Sequence, residues 1–120
     1  MKPNEISMLI IRAKRWNKKA DKQRLTLIRR LLPDEQQRVD ILIQREIEDP
    51  HSQGSMIHAQ AAAWAEKSPM ECIMSRIPEP EATLGKAHCL MMIDGCRKGL
   101  SLAIAALETQ LDSIDKEASK

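Results

Sequence analysis

Apolar residues recur every three or four positions through almost the whole chain, and nowhere do they alternate at the period of two that marks a strand. Ile6, Leu9, Ile10, Ala13 and Trp16 fall on one face of a first helix expected from about Asn4 to Lys18. Arg12, Lys14, Arg15, Lys18 and Lys19 take the opposite arc, and Met8 and Ile11 sit among them. A second helix, from about Asp21 to Leu32, is expected to turn Leu25, Ile28, Leu31 and Leu32 inward. The junction LLPDEQQ opens a third. Either Asp34 caps it with Gln37 answering from the third position, or Pro33 is its first residue with acids behind. Val39, Leu42, Ile43 and Ile47 supply its apolar face as far as about Glu48.

Pro50, Gly54 and two serines then gather in a stretch that reads as a linker, residues 50–55, between a basic N-terminal part (1–49) and a C-terminal part (56–120) of one compact domain. An alanine-rich helix is expected from about Met56 to Glu66, packed closely around Trp64. SPME, from Ser68 to Glu71, has the form of a capping box with proline at the first helical position and opens a short helix. From about Glu81 the helical pattern runs nearly to the C-terminus. The expected fold is therefore an all-α bundle of about six helices with a long final one, either straight or kinked.

Within that final helix, GCRKG (Gly95 to Gly99) tests whether the chain turns. Leu90, Ile93, Leu100, Ile104, Leu107, Leu111 and Ile114 keep a three-four spacing across it, with Arg97 at the one missing position. Agreement of phase on both sides favours one continuous helix. Gly95, Gly99, Ala103 and Ala106 then form a smooth stripe that lets another backbone approach closely, at a cost of about 1 kcal/mol per internal glycine. From Glu81 to Glu117 such a helix spans about 55 Å, longer than a compact domain of this size is wide. A homodimer is expected, meeting through Gly95, Gly99, Leu100, Ala103, Leu107 and Leu111.

Composition supports the helical reading: the chain has no Phe or Tyr and two Trp, so Leu, Ile, Met and Ala must fill the core. No apolar run approaches the ~20 residues needed to span a bilayer, and a cytoplasmic protein is expected. Cys72, Cys89 and Cys96, odd in number and within helical patterns, read as buried free thiols.

Charge changes the picture more. The net charge of +2 hides ten Lys and Arg against two acids in residues 1–33, and nine against fifteen in residues 34–120. The basic segment supplies the expected partner-binding residues: Met8, Ile11, Arg12, Arg15, Lys18, Lys19, Lys22, Arg29 and Arg30. Cations alone suit phosphates, but methionine and isoleucine among them suit a protein surface with an acidic rim.

Other chemistries find little support. GCRKGLS lacks the order of a phosphate-binding loop and the strand that should precede it. His88, Cys89 and Cys96, with Cys72, His51 or His58, lack zinc-ligand spacing, so neither a metal nor another cofactor is expected. No nucleophile elbow, zinc-protease motif or dinucleotide fingerprint points to an enzyme, and no catalytic residue is assigned. A helix-turn-helix through LLPDEQQ would place two acids at the groove-entering end of its recognition helix, which phosphate repulsion disfavours. The expected function is that of a non-enzymatic regulatory or inhibitory protein that docks on a larger protein or nucleoprotein through its basic helices. The alternative is a DNA- or RNA-binding regulator using the same surface.

Overall fold

The computed structural model describes residues 1–68 and 80–118. These form four helices and no strand: α1 (Pro3–Arg29), α2 (Pro33–Glu48), α3 (Gln53–Lys67) and α4 (Thr83–Ala118). The all-helical class and the long C-terminal helix match the sequence pattern; the expected count of about six does not. The short helix expected at SPME, together with Cys72, lies outside the described residues.

One lost boundary is at Lys19–Asp21, where a single 27-residue helix replaces the expected two. Ala13 and Ala20 are completely buried on the same face and Leu27 packs beside them, so the seven-residue spacing continues through the polar run. Asp21, which resembles a cap, instead points its carboxylate at Arg97 (3.3 Å). Lys, Gln and Arg around it are good helix formers and offer no reason to stop. Continuity also rotates the second half away from its expected phase. Leu31 is buried, but Leu25 and Leu32 stand in solvent.

Pro33 ends the run. Leu32 before it is extended, as proline demands of its predecessor, and Pro33 becomes the first residue of α2 with Asp34 and Glu35 in the first turn. Of the two capping schemes, the proline start is the one found, and no side chain caps this helix. Ile47, expected inward, is exposed. Only Asp49 to Ser52 separate α2 from α3; Gln53, Gly54 and Ser55, assigned above to the linker, are the first turn of α3, capped by Ser52 Oγ accepting the Ser55 N–H at 3.1 Å.

Helix α4 is the axis on which the rest is laid. Arg24, Asp21 and Asn17 meet Asp94, Arg97 and Ser101 in turn, so α1 lies antiparallel to it. Gly54 lies against Met91, His58 and Ala61 against Gly95, and Ala62 and Ala65 against Gly99, so α3 runs parallel to it. Helix α2 closes the N-terminal end, with Glu35 reaching Thr83 and Lys86. Ala13, Ala20, Ala61, Ala65, Ile93, Cys96 and Leu100 make the central core, and Leu31, Val39, Ala87 and Leu90 a second one beneath α2. The molecule is elongated, 59 × 27 × 20 Å, as a 36-residue helix of about 54 Å requires.

The glycine stripe is used inside this chain. A Cβ on Gly95 would overlap the His58 carbonyl, and one on Gly99 the Ala62 carbonyl. Gly95 and Gly99 are thus buried against α3, Leu100 lies in the core cluster with residues of α1 and α3, Ala103 is buried, and Leu107 and Leu111 are half-buried. The anion-loop reading of GCRKG is excluded by its position in the helix interior, where the backbone N–H groups are already bonded. Trp64 is half exposed; the close packing expected around it is made by Ala61 and Ala65.

Candidate functional site

Two groupings of polar side chains stand out. The first is structural. The main-chain carbonyl of Glu46, near the end of α2, accepts hydroxyl hydrogen bonds from Ser52 (2.7 Å) and Ser55 (2.5 Å). Its carboxylate accepts from His88 Nε2 on α4 (2.9 Å) and from the Gly54 N–H (3.3 Å). One residue thereby ties the α2 C-terminus to the start of α3 and to α4. His88, weighed above as a metal ligand, is turned to Glu46, and Cys89 and Cys96 are buried thiols. Burial pushes the Cys89 thiol above its ordinary range. Among the described residues no three His, Cys, Asp or Glu side chains converge as a metal site would need.

Hydrogen bonding by His88, helped by Ser52, holds the Glu46 carboxyl below its ordinary value of about 4.5 against an opposing effect of burial. The Lys86 ammonium, 2.8 Å away, does the same for Glu35. A depressed folded-state value means that the unfolded chain takes up the proton first. The stability these carboxylates contribute is present above about pH 4.5 and is lost as pH falls through their folded values. Urea unfolding followed from about pH 6 to pH 3 should show the midpoint dropping, with a shallower drop for Glu46→Gln. An equally steep drop in that variant would remove Glu46 from the account.

The second grouping is the outer face of α1. Met8, Ile11, Arg15, Lys18, Lys22, Leu25 and Arg29 follow one another at alternating steps of three and four, all exposed, on the side of the helix away from Ile6, Ile10, Ala13 and Ala20. Arg12, Lys19 and Arg30 flank this row. It runs for about 32 Å. Lys14 and Arg24 belong elsewhere, paired with Glu108 (3.2 Å) and Asp94 (3.1 Å) of α4. Arg15, Lys18, Lys19, Lys22 and Arg29 form no ion pair among the described residues, and Lys19 lies 4.9 Å from the Trp16 ring centre. All nine residues expected from the sequence to bind a partner are therefore exposed along α1 and its C-cap, Arg30. Leu25 was missed because the expected break placed it in the core; its register with Met8 and Ile11 was the available signal. Beside Met8 an open groove of about 430 Å³ is lined by Met1, Asn4, Glu5, Leu9 and Arg12.

The chain is thus an all-α protein assembled on one long helix, and no helix of the described residues is long and apolar enough to cross a membrane. No family model, curated protein or solved structure matches it.

Proposed function

We propose that this chain is a small non-catalytic binding protein that regulates or inhibits a larger partner by docking through the outer face of α1. The observation that carries the reading is the row itself: cations that no acid among the described residues neutralises, interrupted at both ends by exposed Met8, Ile11 and Leu25. Large exposed apolar side chains gain nothing from a phosphate backbone, whereas covering the half of each that is still exposed at a protein interface stabilises it by about 1 kcal/mol. The groove beside Met8 offers a place for a partner side chain, and the exposed cations steer an acidic surface onto the row.

A pull-down with nuclease-treated and untreated arms separates this from nucleic-acid binding. The wild-type chain should retain a partner in both arms, and Met8→Asp with Ile11→Asp should lose it, an effect of about tenfold or more in affinity. Retention that vanishes with nuclease, falls steeply with salt and ignores Met8→Asp would mean that the row reads phosphates.

A further inference from the structure

On the reading that α1 is the docking face, we infer that its occupant is a single acidic α-helix laid along α1 as a two-stranded coiled coil. Seven exposed positions at alternating three and four steps are the seam by which one helix meets another. The outer face of α1 carries this seam for three heptads while its opposite face is already buried on α4 and α3. The order along the seam is Met8 and Ile11, then Arg15, Lys18 and Lys22, then Leu25 and Arg29. Its complement has apolar residues opposite Met8, Ile11 and Leu25 and carboxylates opposite Arg15, Lys18, Lys22 and Arg29. A flat phosphate lattice satisfies the centre and leaves both ends exposed. An anionic membrane is poorly matched too, because an interfacial helix buries a broad apolar face and α1 has spent its own on the core.

The chemistry also sets specificity. Cations at seam positions oppose a second copy of α1 by like-charge contact, and they oppose a wholly apolar helix by desolvation without compensation. An acidic seam removes both penalties.

The probe is a synthetic peptide of about three heptads with Leu opposite Met8, Ile11 and Leu25 and Glu opposite Arg15, Lys18, Lys22 and Arg29. Isothermal titration with the full chain should give one-to-one binding and a gain in helicity by circular dichroism. A peptide of the same composition with the seam order scrambled should bind about tenfold more weakly or worse. Arg15→Glu with Lys18→Glu and Lys22→Glu should abolish binding of the Glu peptide and restore it for the matching Lys peptide; exposed positions make this triple variant safe for folding, which its unchanged spectrum would verify. Equal binding of the scrambled peptide or of polyglutamate would overturn the helical occupant and leave an acidic protein surface standing. Binding of duplex DNA alone would overturn both readings. A dimer in sedimentation, dissociated by Arg15→Glu and indifferent to the peptide, would give the face to a second copy of the chain.

Discussion

Replacing Gly99 with leucine is expected to destabilise the fold by about 3 kcal/mol or more. The Ala62 carbonyl oxygen lies where a Cβ would have to go, and the Ala65 Cβ is 2.8 Å from that point. Neither obstacle is the free end of a flexible side chain. The helix must move off α3, and the contact through Gly54, Gly95 and Gly99 loosens with it. Gly99→Ala makes the sharper test because two effects compete. Alanine in a helix interior gains about 1 kcal/mol over glycine by propensity alone. The single added carbon meets backbone, so the clash should exceed that gain and the urea midpoint should fall. A raised midpoint would show that α3 and α4 do not approach as described.

Ile93→Ala should cost about 4 kcal/mol, near the upper end of the range for large-to-alanine changes in cores. Ile93 is 2% exposed and packs in the cluster where α1, α3 and α4 meet. Its buried neighbours include Ala13, Ala20, Ala61 and Ala65, which have no side-chain freedom with which to fill a hole. A cavity left there persists, and its cost scales with the volume that fails to collapse. Leu102→Ala on the same helix is the reference, since Leu102 is half exposed and its loss should stay within about 0.5 kcal/mol. Equal losses at the two positions, read by chemical denaturation, would contradict the placement of the core.

Both predictions use α4, the element most legible from its residues. Leu90, Ile93, Leu100 and Ile104 keep phase through GCRKG, and the helix is unbroken there, with Leu90, Ile93 and Leu100 buried. The Pro33 start of α2 was legible for the same reason: proline acts on its own and its neighbour's dihedral angles, whatever lies far away. Local chemistry failed at Asp21. An aspartate after a polar run looks like a cap, and only the fit of Ala20 against the core and the reach of Arg97 keep it within a helix. The error carried into function, since a break there puts Leu25 inside and hides the length of the exposed row.

The glycine stripe divides the two kinds of knowledge most clearly. Spacing alone determines that Gly95 and Gly99 present a smooth surface to a closely approaching backbone, because side-chain direction on a helix follows from residue number. Which backbone approaches is a competition among all segments of the chain and any other chain, decided by shape and by the free energy of the whole assembly. The tertiary structure awards that surface to α3, whose Ala61, Ala62 and Ala65 are equally small. It leaves the three-four row of α1 uncovered, because the α4 acids Glu108 and Asp94 engage Lys14 and Arg24 on the flank and leave Arg15, Lys18 and Lys22 pointing outward. Charge asymmetry was written in the sequence from the start. Which cations are neutralised within the chain and which stay exposed depends on contacts dozens of residues apart, and periodicity carries no information about those.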